Sequence, residues 1–495
     1  MTNWRVSNVE SMSDHRHIRF EIKREKPNKE TYRIPESTNW DDYLAELRDN
    51  LLNVRKNVIT TNDLEKLAVE LKQAIIGAYH SASKLRTRKS NNKTPWWNKK
   101  LEEMKSVSSN LLNKALKHRI DRPEFWTEYR THLQNYKKEI RNSKREKWKK
   151  FCNDLENISE GARIHKILSK EHKNKIGSLR KQDGTHSNNE KETLEILNST
   201  HFPESQNNLH NLDKMRKGIP QRSSIDWELS LRLFSDDRIK WAINTFQPFK
   251  SPGADEIFPA LLQKGFDVLL PYLQTLFVYS HSWGHIVETW REVKVVYIPK
   301  AGKRPSDEAK SYRPISLTSF LLKTMERIID RYIRDEILIH NPVSINQFAY
   351  KEGTSTITAL QTFVKRIRKT FKDQEIGIAV SIDIQGAFDN TSYDKIKEAM
   401  ILKNVDRQTR NWIYNMLQNR QLIASLGKEE IKSIPVKGCP QGGVLSPILW
   451  CLVIDNLLVK LQNEGYIKVQ AFADDIIIMV IGISGRTVSE FCKMD

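Results

Sequence analysis

Residues 469–472 and 476–480 are short apolar runs rich in β-branched side chains, the pattern of two neighbouring strands. Between them the chain reads Ala473-Asp474-Asp475, acidic where a tight hairpin favours Asn-Gly or Asp-Gly. A third apolar run, 378–382, ends on Asp383. Helical spacing of apolar positions predicts helices over 40–58, 62–85, 258–280, 316–337 and 444–461. Further helices are expected across 392–418 and strands over 293–297 and 421–435. Before these lies a Lys/Arg-rich helical region reaching about residue 172, then a polar, loop-rich stretch over 173–198 that ends in a short helix.

Two adjacent carboxylates beside buried strands repel each other and lose hydration, and a divalent cation relieves both penalties. If the three strands share one sheet, Asp383 stands beside Asp474 and Asp475 in an oxygen-rich pocket suited to Mg²⁺. Taken singly, each acid reads as a solvated turn residue. Between them lies Gly438-Cys439-Pro440-Gln441-Gly442-Gly443-Val444-Leu445-Ser446-Pro447, a Gly/Pro loop before an apolar helix. Its glycines allow close backbone approach to a flat ligand, and Gln441 offers an amide donor and acceptor.

The ordered set Asp383-Ile384-Gln385-Gly386-Ala387-Phe388-Asp389, Pro440 to Pro447 and Phe472-Ala473-Asp474-Asp475 resembles the reverse transcriptase of non-LTR retrotransposons, the Jockey-like and rDNA-inserting insect elements in particular. Further matches are Lys250 to Asp255, Ile298-Pro299-Lys300, Tyr312 to Leu317, and Gln347-Phe348 leading to Ser355-Thr356. The resemblance runs from about Pro95 to the end of the chain. It implies an α+β fold, with right-hand polymerase fingers over 235–375 and a palm over 376–495. It also implies a catalytic and metal-binding triad of Asp383, Asp474 and Asp475, with the Ile384 carbonyl as a further ligand to two Mg²⁺ ions, for which Mn²⁺ is a substitute. Lys300 and Arg313 would grip the triphosphate, Phe388 would exclude a ribose 2′-hydroxyl, and Gln441 and Gly442 would contact the nucleotide. The implied partners are an RNA template, a DNA primer or target and dNTPs. The implied setting is the nucleus, with a cytoplasmic ribonucleoprotein stage. Two departures stand out: Ala254-Asp255-Glu256 replaces a Pro and Asp-Gly turn, and Tyr350 to Thr354 is less basic than its family counterpart.

Composition narrows the rest. The chain has 495 residues and a formal charge of +20, which favours a polyanionic partner. Four cysteines lack paired spacing, arguing against a zinc site or a disulfide framework, and no apolar run is long enough to span a bilayer. An intracellular protein without a membrane partner is expected. Residues 94–234 read as a basic helical extension whose cations and aromatics, Trp126, Tyr129, Tyr136 and Trp148, either bind RNA or pack internally. Residues 25–93 read as a linker and helices. Over 1–24, Ser13-Asp14-His15 before an alternating strand resembles the last motif of the endonuclease/exonuclease/phosphatase fold, and the expectation is an inactive, poorly ordered remnant. With residue 495 only twenty positions beyond Asp475, no thumb is expected. The rival readings are an RNA-templated RNA polymerase, which Phe388 opposes, and a catalytically inactive RNA-binding fragment of a decayed element.

Overall fold

The computed structural model describes residues 2–6, 18–21, 31–87, 95–118, 122–153, 176–181, 183–205, 225–300, 307–384 and 386–491. They form two compact units, one drawn from 1–32 and 85–175, the other from 33–84 and 176–495.

In the smaller unit, strands β1 (Thr2–Val6) and β2 (Ile18–Glu21) pair antiparallel, as do the two-residue strands β3 (Thr31–Tyr32) and β4 (Arg86–Thr87). Side chains 4–6 and 18–21 are all exposed, so this hairpin builds no core. Asp14 and His15 lie outside the described residues. Helices Lys99–Lys117 and Glu124–Asn153 pack on one another. The Asn98 side chain accepts from the Leu101 N–H at 2.9 Å and caps the first of them. Lys144 sits 4.5 Å over the Trp96 ring, and Lys100 pairs with Glu139 at 2.7 Å. Ser143 is the only buried described residue of the longer helix; Trp126, Tyr129 and Tyr136 are half-buried, whereas Trp148 and Phe151 are exposed.

The larger unit holds two sheets. In the first, β5 (Glu292–Pro299) lies between β6 (Tyr312–Leu317), antiparallel, and β8 (Gln421–Leu426), parallel, with β9 (Glu429–Ser433) at the far edge. Helix Glu190–His201 packs on it, burying Leu194 and Leu197 with Val293, Val295, Leu422 and Ala424. The second sheet has the order β10 (Ile467–Phe472), β11 (Asp475–Gly482), β7 (Ile376–Asp383), antiparallel throughout. Helix Ser446–Asn463 covers one face through Trp450, Ile454 and Leu458, and the Gln470 amide on the other face donates to the Ala359 carbonyl of helix Thr356–Lys372 at 2.7 Å.

Three expectations are revised. The helix foreseen over 258–280 is two, Pro259–Lys264 and Phe266–Trp283. They break at Gly265, where a Cβ would stand 2.8 Å from the Leu47 side chain and 3.0 Å from the Leu261 carbonyl oxygen. The helix foreseen over 316–337 starts at Phe320, because Tyr312–Leu317 pairs with β5 and the Ser319 hydroxyl caps the Leu321 N–H at 3.1 Å. The boundaries drawn at 93 and 234 also shift. Helices Trp40–Leu51 and Thr61–Ala82 bury Tyr43, Leu47, Leu64 and Ile75 in the same core as Leu261, Leu273, Met325 and Trp412. Helix Glu190–His201 likewise belongs to the larger unit, because Leu194 and Leu197 are buried against the first sheet.

Candidate active site

The three acids meet through strand register. Asp383 is the last residue of β7 and Asp475 the first of β11, and they are direct cross-strand partners. Directly paired residues project to the same side of a sheet, with Cβ atoms about 4.5–5.5 Å apart. Asp474 occupies the two-residue turn between β10 and β11, and its carbonyl accepts the Ile384 N–H at 3.2 Å. Partial desolvation, then the negative charges of Asp474 and Asp383, raise the Asp475 carboxyl above its ordinary range. Among the described residues no three Asp, Glu, His or Cys side chains close into a ready-made cation cage.

A cavity of about 350 Å³ opens beside these acids, lined by Asp383, Ile384, Phe388, Asp389, Gln441, Asp474, Lys300 and Arg313, together with Thr200, His201 and Lys310. Lys300 and Arg313 reach it from the first sheet, where Ile298 pairs with Arg313 and the Lys300 N–H donates to the Ser311 carbonyl at 2.9 Å. Asp475 does not line this cavity. The lining therefore combines the carboxylates of Asp383, Asp389 and Asp474 with the cations of Lys300, Lys310 and Arg313, a set able to hold a polyanion next to a cation-attracting edge.

The loop 438–443 brings Gln441 to the cavity. Gly438 has φ +87°, and a Cβ there would fall 2.4 Å from the Asp389 carbonyl oxygen. Gly442 has φ +119° and lies against the Ser316 carbonyl, while the Ser316 N–H donates to the Gln441 carbonyl at 2.8 Å. Any side chain at either position meets backbone. Behind the loop, the fully buried Glu326 accepts the Val444 and Leu445 N–H groups at 2.7 and 3.0 Å. Burial raises its pKa, opposed by those two hydrogen bonds and by Lys323. Phe388 stands half-buried between Tyr350 (centroids 6.4 Å apart) and Trp450 (6.2 Å). Burial pushes the Asp389 carboxyl up to about 7, with Arg420 opposing. Cys439 and Cys451 are buried thiols pushed up to about 12, so neither offers a thiolate at neutral pH.

Residues 298–488 match the family model described as reverse transcriptase (RNA-dependent DNA polymerase). Over these residues the chain is similar to reverse transcriptases. It is 25% identical over 98% of its length to a Pol polyprotein of the type-1 retrotransposable element R1 from Bradysia coprophila, of which it covers 48%. It is 28% identical to the corresponding polyprotein of element R2 from Popillia japonica, over 50% of this chain and 35% of that one. With the RNA-directed DNA polymerase of mobile element jockey from Drosophila melanogaster it shares 26% identity, over 52% and 28% respectively. The chain thus spans about half the length of the R1 relative and less of the others. These relatives are named as polyproteins or polymerases of retrotransposable or mobile elements, in line with the resemblance of the motif set.

Several lining or supporting residues carried no readable signal in the sequence. Thr200 and His201 lie more than 180 positions before Asp383 and reach the cavity only because their helix packs on β8 and β9. Glu326 could have been noticed: with Lys323 it interrupts the apolar stripe of Phe320–Tyr332, where a charge without a partner is costly. Trp450 read simply as one more apolar position of its helix. The departure at Ala254-Asp255-Glu256 is accommodated with Glu256 itself left-handed at φ +63°.

Proposed function

We propose that this chain is the RNA-directed DNA polymerase part of a non-LTR retrotransposon protein, joining dNTPs to the 3′-hydroxyl of a DNA primer on an RNA template. The observation that carries the reading is the register pairing of Asp383 with Asp475, with Asp474 in the adjoining turn, beside a cavity that Lys300 and Arg313 also line. The first sheet and its helices correspond to fingers, the second sheet to the palm. The donor set fits Mg²⁺: hard carboxylate oxygens whose mutual repulsion already raises one of them. Asp383 and Asp474 would hold the ions directly, with Asp475 and the Ile384 carbonyl beside them. Bound magnesium supplies charge neutralisation at the attacking and leaving oxygens of an in-line displacement.

The chain's own groups do the remainder. Arg313 presents a planar fork to phosphate oxygens and Lys300 a mobile point charge, so together they orient the triphosphate and stabilise the departing pyrophosphate. Gln441 and Gly442 bring backbone and amide close to the sugar and base. The rigid ring of Phe388 rejects a 2′-hydroxyl by volume. In the smaller unit, the exposed Trp148 and Phe151 among the lysines and arginines of Glu124–Asn153 favour contact with RNA through stacking and phosphate pairing. The half-buried aromatics of that helix serve packing instead.

The test is Mg²⁺-dependent dNTP incorporation on a primed RNA template by the full chain and by Asp474→Ala. The variant is expected to lose at least about a thousandfold in rate, the scale of removing a principal transition-state electrostatic group. RNA binding with no incorporation by either protein would instead support the inactive RNA-binding alternative.

A further inference from the structure

Resting on the polymerase reading above, we infer that Trp450 is a positioning residue that ties the Phe388 ring to the Ala473-Asp474 turn through a single side chain. Its indole N–H donates to the Ala473 carbonyl at 2.9 Å, and its ring packs on Phe388 with centroids 6.2 Å apart. Trp450 is 6% exposed, so the hydrogen bond is dry and has no water to replace it. Its helix is anchored beneath the same strands, with Ile454 and Leu458 buried against Val469 and Ala471.

The turn needs such a hold. Ala473 has φ +57°, the left-handed region, without being glycine. A non-glycine residue stays there only when its surroundings over-determine it. Both of its backbone polar groups are claimed by side chains from outside the hairpin: Trp450 takes the carbonyl, and the Gln347 amide oxygen takes the N–H at 3.2 Å. The next residue is Asp474. Rotation of the Ala473 peptide moves that carboxylate directly, whereas the Phe388 contact depends on the indole's volume and not on its proton. The donor and the ring of one residue therefore carry separable duties: the donor sets where the carboxylate stands, and the ring sets how firmly the sugar-facing phenyl is backed.

The experiment uses the full chain with Trp450→Phe, Trp450→Leu, Asp474→Ala and the control Trp412→Phe, which removes another buried indole donor (to Ser280, 3.1 Å) elsewhere. Mn²⁺ affinity is read by electron paramagnetic resonance without nucleotide, and dTTP and rUTP incorporation on an oligo(dT)-primed poly(rA) template. Trp450→Phe is expected to weaken Mn²⁺ binding about fivefold and lower kcat about tenfold, the loss of one buried hydrogen bond plus a displaced ligand, with KM for dTTP and the dTTP:rUTP preference retained. Trp450→Leu is expected to lose the preference as well. If Trp450→Phe matches Trp412→Phe in both readouts while Asp474→Ala weakens Mn²⁺, the inference falls and the acidic site stands. If Asp474→Ala leaves Mn²⁺ affinity unchanged, the reading of the site itself falls, and the inference with it. The Mn²⁺ titration decides the matter even where the chain incorporates no nucleotide.

Discussion

The turn at 473–474 and the loop at 438–443 both demand backbone geometry that ordinary residues avoid, and they obtain it by opposite means. In the loop the geometry is written into residue type: Gly438 and Gly442 take positive φ without penalty and let backbone touch backbone at Asp389 and Ser316. In the turn an alanine is held left-handed by Trp450 and Gln347, residues 23 and 126 positions away in sequence. Glycine makes a conformation affordable, whereas external hydrogen bonds make it unique. A loop that lies along a ligand can rely on the first. A carboxylate that must stand at one point needs the second.

The sharpest way to break the comparison is Gly438→Ala. The new methyl group would meet the Asp389 backbone at a φ that side chains rarely adopt, so destabilisation of roughly 3 kcal/mol is expected, with incorporation lost at least about a hundredfold. A thermal melt and a primer-extension assay check both parts; a near-neutral melt would mean that the loop yields easily. Next comes Glu326, which shows that the loop also borrows an outside hold. Glu326→Ala leaves the Val444 and Leu445 N–H groups without their acceptor, at about 1–3 kcal/mol for each buried group. Glu326→Gln keeps an acceptor oxygen and is expected to retain most stability and KM for dNTP; equal losses in both variants would assign the residue to charge balance with Lys323 instead. The smallest effect belongs to Ala473→Gly. Relief of the left-handed strain and the added freedom of the unfolded chain nearly cancel, so stability should stay within about 1 kcal/mol of the parent. The looser turn should still lower kcat severalfold, and an unchanged kcat would show that the two outside hydrogen bonds suffice without the alanine.

Much of this was legible before any coordinates. The strand runs around Asp474, the run into Asp383 and the Gly/Pro loop before an apolar helix all lie within a few positions of where the structure has them, because period and turn chemistry are local properties. Errors clustered where a local pattern was shared by two structures. Residues 316–317 looked like the start of a helix and instead end a strand, since β5 offered a partner that no local window contains. The helix over 258–280 looked continuous, yet it breaks at Gly265, where the Leu47 side chain, more than two hundred residues earlier, crowds the position.

By itself the sequence determined the chemical inventory: which residues are acidic at strand ends, where glycine permits a close approach, and how much positive charge the chain carries. Tertiary structure alone decided which of them meet. Asp383 faces Asp475 because two strands separated by nearly a hundred residues pair in one particular register, and a shift of one residue would turn the carboxylate to the other face. Thr200 and His201 join the cavity wall, and Trp450 reaches Ala473, because helices settle where their apolar stripes find a matching surface. Such matches are sums of weak, non-directional contacts over the whole core, and no short stretch of sequence contains them.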